Sequence, residues 1–238
     1  MILVIRIHKS VLSAVLIFVI LLCGIGVFVH HRQQAPVMAW GVSVDIPIVL
    51  DAGHGGEDSG AVAEDGTMEK VLNLDIALRL KSLLELAGYR VYMTRETDIS
   101  LCENSFIKKE DMQNRLDLAR TYPKALFISI HLNKFSMKQY SGAQIFYSGN
   151  HEDSYVLAQA IQQSIKNNLQ PENTRQVKLG DENSILLRCL EQPAVIVEGG
   201  FLSNPEELAQ LNNEAYRSKL SYCIFLGIMQ YQQEKEGI

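Results

Sequence analysis

The sequence predicts an α/β fold: a single, mostly parallel twisted sheet with helices on both faces, preceded by an N-terminal membrane helix. Three observations carry this. Short apolar runs alternate with stretches of helical periodicity along most of the chain, and strands separated by helices of that length build parallel sheets covered on both sides. The runs "ALFISI" and "AVIV" are apolar almost throughout, the pattern of strands buried on both faces. Ahead of them, residues 11–29 ("VLSAVLIFVILLCGIGVFV") carry no charge at any of 19 positions.

At the helical rise that run spans roughly 28 Å, about one bilayer core, and it reads as a membrane anchor. A cleaved signal peptide is the alternative, but its apolar part is usually only ~7–15 residues long. The nearest small-residue site ends at Ala39, beyond His30, His31 and Arg32. Arg6 and Lys9 before the run and Arg32 after it favour an inside N-terminus only weakly. Residues 1–32 are thus the anchor or uncleaved signal, 33–45 a linker, and 46–238 one catalytic-sized domain.

Within that domain "IPIVLDAG" is the first strand. A helix follows, with Leu72, Ile76, Leu80, Leu83 and Ala87 on one stripe, widened by Leu74 and Leu78 and stopped by Gly88. "YRVYMTR" is a second strand, residues 108–121 a helix, "ALFISIHLN" a third strand and "GAQIFYSG" a fourth. A helix over roughly 153–168, the strand "AVIVEGG" and two helices from Pro205 onward complete the order.

Composition excludes some functions. A chain of 238 residues with 47% hydrophobic and 21% charged residues supports a real core. Arg6, Lys9 and Arg32 are the only Lys or Arg before residue 70, so from residue 33 onward 19 bases face 27 acids, a net of −8. Nucleic acid is excluded as a partner, because it requires a basic stripe to neutralise phosphates. Cys23 lies in the apolar run, while Cys102, Cys189 and Cys223 are single and widely spaced. No thiolate zinc pair is indicated, and buried free thiols are the default, with one disulfide open as an alternative.

The stretch "IVLDAGHGGEDSG" puts a histidine inside a glycine cluster after a strand. It is not a dinucleotide loop, since Asp58 stands where the third glycine is required, and it lacks the Gly-Lys-Ser or Gly-Lys-Thr of a P-loop. A plain turn explains the glycines but not His54. Ligands in open α/β sheets gather at the carboxyl ends of the strands. His54 sits past one such end, His131 follows "ALFISI", and Glu198 ends "AVIV". Glu69 opens the first helix, where helix capping alone would account for a carboxylate. If all four converge, His54, Glu69 and His131 make a two-histidine, one-carboxylate zinc set with one position left for water. Glu198 then serves as the base. The glycines would let backbone and substrate approach the metal. Arg115, Asn133 and Asn204 fit either substrate contact or a structural role.

The motifs "VLDAGHGGEDSGA", "MEKVLNLDIA", "VYMTRETD", "FISIHLN" and "VIVEGGFLSNPEE", in this order, resemble those of the zinc-dependent N-acetylmuramoyl-L-alanine amidases of the third amidase family. The resemblance runs from about residue 46 to 233. It implies that His54, Glu69 and His131 are zinc ligands and that Glu198 is the catalytic glutamate. The substrate would be peptidoglycan, cut at the amide between N-acetylmuramic acid and L-alanine. The length, the anchor, the lack of wall-binding repeats and the stretches "SGAQIFYSG" and "NRLDLAR" are similar to the spore-cortex members of the family. For those, peptide removal prepares muramic-δ-lactam, formed with the help of a separate deacetylase. The resemblance places the domain outside the cytoplasm, in the wall or the forespore intermembrane space, or secreted if the N-terminal segment is cleaved. Only about 25 residues lie between Asn168 and Ala194, too few for the long inhibitory helix of some division amidases. Control is therefore expected from an activating partner protein. Two alternatives remain: a zinc peptidase acting within the stem peptide, and a non-catalytic wall-binding membrane protein.

Overall fold

Ile48, Val49, Leu50, Asp51 and Ala52 are all fully buried, as a strand hidden on both faces must be. They form β1 (Ile48–Ala52) in a computed structural model that describes residues 46–236 except Asn183. The elements that follow are α1 (Glu69–Leu86), β2 (Val91–Met93), α2 (Lys108–Thr121), β3 (Leu126–Asn133), β4 (Gln144–Tyr147) and α3 (Asp153–Asn168). Then come β5 (Lys178–Leu179), α4 (Ile185–Cys189), β6 (Ala194–Phe201), α5 (Pro205–Asn212) and α6 (Glu214–Glu236). The expected membrane helix over residues 11–29 and the linker 33–45 lie outside the described residues. Among the described residues no helix is long and apolar enough to cross a membrane.

The six strands lie in the order β2-β1-β3-β6-β4-β5. β1, β2, β3 and β6 are mutually parallel, but β4 runs antiparallel to β6 and carries β5 with it. The sheet is therefore mixed: four of its five strand pairings are parallel, in keeping with the mostly parallel expectation, and the β4–β6 pairing is antiparallel. The reason is the link between β3 and β4: residues 134–143 contain no helix, and a return to parallel needs a crossover of a dozen residues or more. The two edges, β2 and β5, are three and two residues long.

Helices cover both faces. Ile48, Leu50, Ile128 and Ile130 pack on one side with α1, α3 and α6, while Val49, Phe127 and Ala194 face α2 and α4 on the other. α1 buries Leu72, Ile76, Ala77, Leu80 and Leu84. Leu84 takes the place expected of Leu83, because the helix packs against both the sheet and α6 and so hides more than one stripe. Gly88 stops it at a φ of +92°, the left-handed stop that favours glycine. At α5, Asn204 caps the helix by accepting from the amides of Glu206 and Glu207, with Pro205 at the first position. Asn204 is thus structural. Cys102, Cys189 and Cys223 are all free, and only Cys223 is buried.

Candidate metal centre and active-site cleft

His54 lies two residues past β1 with a φ of +63°, the only non-glycine at positive φ among the described residues. Left-handed backbone is costly for an ordinary residue and persists where the surroundings enforce it. Two buried guanidiniums do so. Arg95 donates to the carbonyls of Ala52 (2.8 Å) and Gly53 (2.9 Å), and Arg115 donates to the carbonyls of Ala52 (3.0 Å) and His54 (2.8 Å).

Arg115 itself is held by Asp111 at 2.7 Å and by Asp51 at 2.5 Å. Asp51 also accepts from Thr94 (2.8 Å) and Ser129 (2.5 Å). Burial would raise the Asp51 carboxyl, but Arg115 beside it and the two hydroxyl donors keep it below its usual range.

The strands expected over "ALFISIHLN" and "AVIVEGG" form as β3 and β6, and His131 and Glu198, where their apolar runs end, are register partners within them. Residues directly opposite on adjacent strands project to the same face. The register then slips by one residue on β6, where Gly199 and Gly200 form a bulge after Glu198.

Glu69, the first residue of α1, does not cap its helix. Its Oε1 accepts from the amide of Leu132 (3.1 Å) and from Asn73 Nδ2 (3.1 Å), and its Oε2 accepts from the amide of Ala61 (2.8 Å). The same carboxylate faces His131 Nδ1 at 3.0 Å and His54 Nε2 at 3.2 Å. Burial opposes its charge, yet the two imidazoles hold it far below the usual carboxylate range. One donor atom from each of His54, Glu69 and His131 falls within 4.8 Å of the others.

The donor chemistry fits a cation. Both ring nitrogens of His54 face carboxylates, Nε2 toward Glu69 and Nδ1 toward Asp58 Oδ2 at 2.8 Å. A neutral imidazole has only one N–H. Either the ring carries an extra proton, or a cation sits on the Glu69 side while Asp58 takes the Nδ1 proton. That second arrangement is the carboxylate–histidine pairing that orients metal ligands. Burial pulls the His54 pKa down, but Glu69 and Asp58 outweigh it and hold the pKa above its ordinary value.

Two glycines make this convergence possible. A Cβ on Gly53 would lie 2.2 Å from Nε2 of His131, and one on Gly60 would lie 2.6 Å from Oε2 of Glu69. Without a side chain at these two positions the donors themselves can pack this closely.

Glu198 differs from the other three. Its Oε2 is shielded from solvent and has no hydrogen-bond partner among the described residues. Burial pushes its pKa up to about 7, with His131 and His54 pulling down and Glu69 pushing up. It faces, with His54 and His131, a cleft of about 360 Å³ walled by Met112 of α2, Ile185 of α4 and Phe146 of β4.

All four residues singled out in the sequence therefore meet at one place. Of the undecided three, Arg115 is a buried support, Asn204 a helix cap, and Asn133 a half-buried residue of β3 opposite Phe201. Sequence reasoning missed Asp51, Asp58, Asn73 and Arg95. Asp51 had a legible signal, since a charge inside a buried apolar strand requires a partner.

An α/β sheet with paired imidazoles and carboxylates at the carboxyl ends of its central strands, facing an open cleft, fits a hydrolase. Residues 48–230 match the family described as N-acetylmuramoyl-L-alanine amidase, and the chain belongs to that family. It is 37% identical over 193 residues to the germination-specific N-acetylmuramoyl-L-alanine amidase of Bacillus subtilis, a match covering 79% of this chain and 80% of that protein. Its fold matches that of the CwlD amidase from Clostridioides difficile, solved in complex with the GerS lipoprotein, at a TM-score of 0.72 and 39% identity, covering 79% of this chain and 98% of the other. The amidase AmiC2 of Nostoc punctiforme matches at a TM-score of 0.69 and 28% identity, covering 79% and 97%. The chain is an N-acetylmuramoyl-L-alanine amidase, a hydrolase acting on peptidoglycan.

Proposed function

We propose that this amidase is zinc-dependent and acts in spore cortex maturation, cutting the amide between N-acetylmuramic acid and L-alanine so that muramic-δ-lactam can form. The reading rests on one observation: three donors converge beside a glutamate whose carboxylate oxygen has no partner. His54, Glu69 and His131 would hold the zinc. When bound, it supplies Lewis acidity and lowers the pKa of water at its open position to about 7.

The other steps belong to the chain. Glu198, with a pKa about 7, is matched to take a proton from the attacking water and return it to the leaving L-alanine nitrogen. Asp58 keeps His54 in the tautomer that offers Nε2 to the metal. Arg95 and Arg115 fix the backbone that presents His54. The apolar wall of the cleft excludes bulk water around the scissile bond.

The cortex assignment is supported by the likeness to the germination-specific amidase. The lipoprotein bound to the Clostridioides relative supports an activating partner of that kind here. Residues 1–32 act as an anchor, residues 33–45 as a linker, and residues 46–238 as a catalytic domain outside the cytoplasm, where peptidoglycan lies. A reporter active only in the cytoplasm, fused after Ile238, stays silent on this reading. Activity from it would overturn the localisation.

The deciding experiment treats peptidoglycan with the full-length protein in detergent and weighs the products. Free stem peptides beginning with L-alanine, with glycan retaining the lactyl group, are expected. Trimmed peptides still attached to sugar would make the enzyme a peptidase.

A further inference from the structure

The cleft that serves this reading is lined by five carboxylates, Asp51, Asp58, Asp111, Asp181 and Glu198, against two cationic side chains, Arg115 and Lys108. Arg115 is committed, because its donors are taken by Asp51, Asp111 and the carbonyls of Ala52 and His54, and it is 2% exposed. Lys108, at the start of α2, is exposed at the cleft; its ammonium is close enough to help hold the Asp58 carboxyl below its usual range, with no direct ion pair between them. Apart from the zinc that His54, Glu69 and His131 would hold, Lys108 is the cationic side chain on the cleft wall left to attract an entering anionic group.

The substrate brings such a group. In the stem peptide L-alanine is followed by D-glutamate joined through its side chain, which leaves the α-carboxylate free. At ~3.3–3.6 Å per extended residue, that carboxylate lies within two residues of the scissile nitrogen. A lysine on a flexible four-carbon stem at the cleft wall meets it as a point charge. We propose that Lys108 is a specificity-determining residue that binds the free α-carboxylate of the D-glutamyl residue of the stem peptide, a proposal that rests on the amidase reading above.

The test is a binding titration with the full-length, zinc-loaded chain carrying Glu198→Gln to slow turnover. Two fluorescent muramoyl peptides are compared, identical except that the D-glutamyl α-position is a carboxylate in one and a carboxamide in the other. The Lys108-intact chain is expected to prefer the carboxylate by about fivefold, the upper end for an exposed ion pair. Lys108→Met should bind both peptides equally, Lys108→Arg should keep the preference, and added salt should shrink it. A preference that survives in Lys108→Met, or that is absent from the intact chain while both peptides bind, overturns the proposal and leaves the amidase reading standing. Binding of neither peptide by the intact chain overturns the substrate reading and the proposal with it.

Discussion

Removing the guanidinium of Arg115 with Arg115→Met keeps most of the side-chain volume and strips the support from beneath the site. The side chain is 2% exposed, and its two ionic partners, Asp51 and Asp111, are 0% and 5% exposed. Four hydrogen bonds are lost, at 2.5 to 3.0 Å. Breaking a buried ion pair from one side costs about 3–5 kcal/mol, because the other charge stays behind. Asp51 keeps Ser129 and Thr94, and Asp111 keeps the amide of Leu101, so the lower half of that range is expected. For a domain of this size that is a melting temperature roughly 6–16 °C lower.

The pH dependence gives a second handle. In the parent, the Asp51 carboxyl is depressed by Arg115 against its burial. Its contribution is fully present above the unfolded value of about 3.9 and is lost as pH falls through the folded value. In the variant burial is opposed only by the Ser129 and Thr94 hydroxyls and by His131, so the folded pKa rises, and the penalty present at neutral pH is relieved as Asp51 takes up a proton. The deficit should therefore narrow between pH 7 and pH 5. Thermal unfolding of the full chain in detergent with a chelator present measures both effects. A melting point within about 2 °C of the parent, or a deficit that widens on acidification, would refute the reasoning.

Glu198→Gln should keep its zinc and lose roughly 10²–10⁴-fold in turnover, the usual share of general-base catalysis; zinc lost together with activity would make Glu198 a ligand. Metal analysis should find about one zinc per chain and a large loss in His54→Ala and His131→Ala, and equal zinc in all three proteins would sink the ligand set. Because Glu69 and Asp58 hold the His54 pKa above its ordinary 6.5, protons should compete with zinc from above that pH downward. Affinity measured by chelator competition should rise from pH 6 to 8, and a flat profile would contradict the role of His54.

The elements that carry the site were legible because periodicity and punctuation agree there. Helix α3 begins and ends where its pattern does, and Gly88 and the Asn204–Pro205 pair mark helix limits that chemistry enforces. The antiparallel direction of β4 was not read from the sequence, although the helix-free link before it held the information. The two-residue β5 and five-residue α4 were invisible, since elements that short have no period. His54, His131 and Glu198 stood out as polar residues where apolar strands end. The supports did not, because the tie of Arg115 to Asp51 spans 64 positions and that of Ser129 to Asp51 spans 78. Pairings so distant in the chain leave no local trace.

The short outer strands have a consequence beyond topology. A sheet rim offers unsatisfied amides and carbonyls on which another chain can add a strand, the first step toward polymers. Here one rim ends after Val91–Met93 and the other after Lys178–Leu179, lengths too small to template a stable extra strand. The long, apolar, aggregation-prone strands β1, β3 and β6 are paired on both sides. Among the described residues, the strands that could zip one molecule to another are thus covered, and the hazard falls to chains whose central strands are still unpaired during folding.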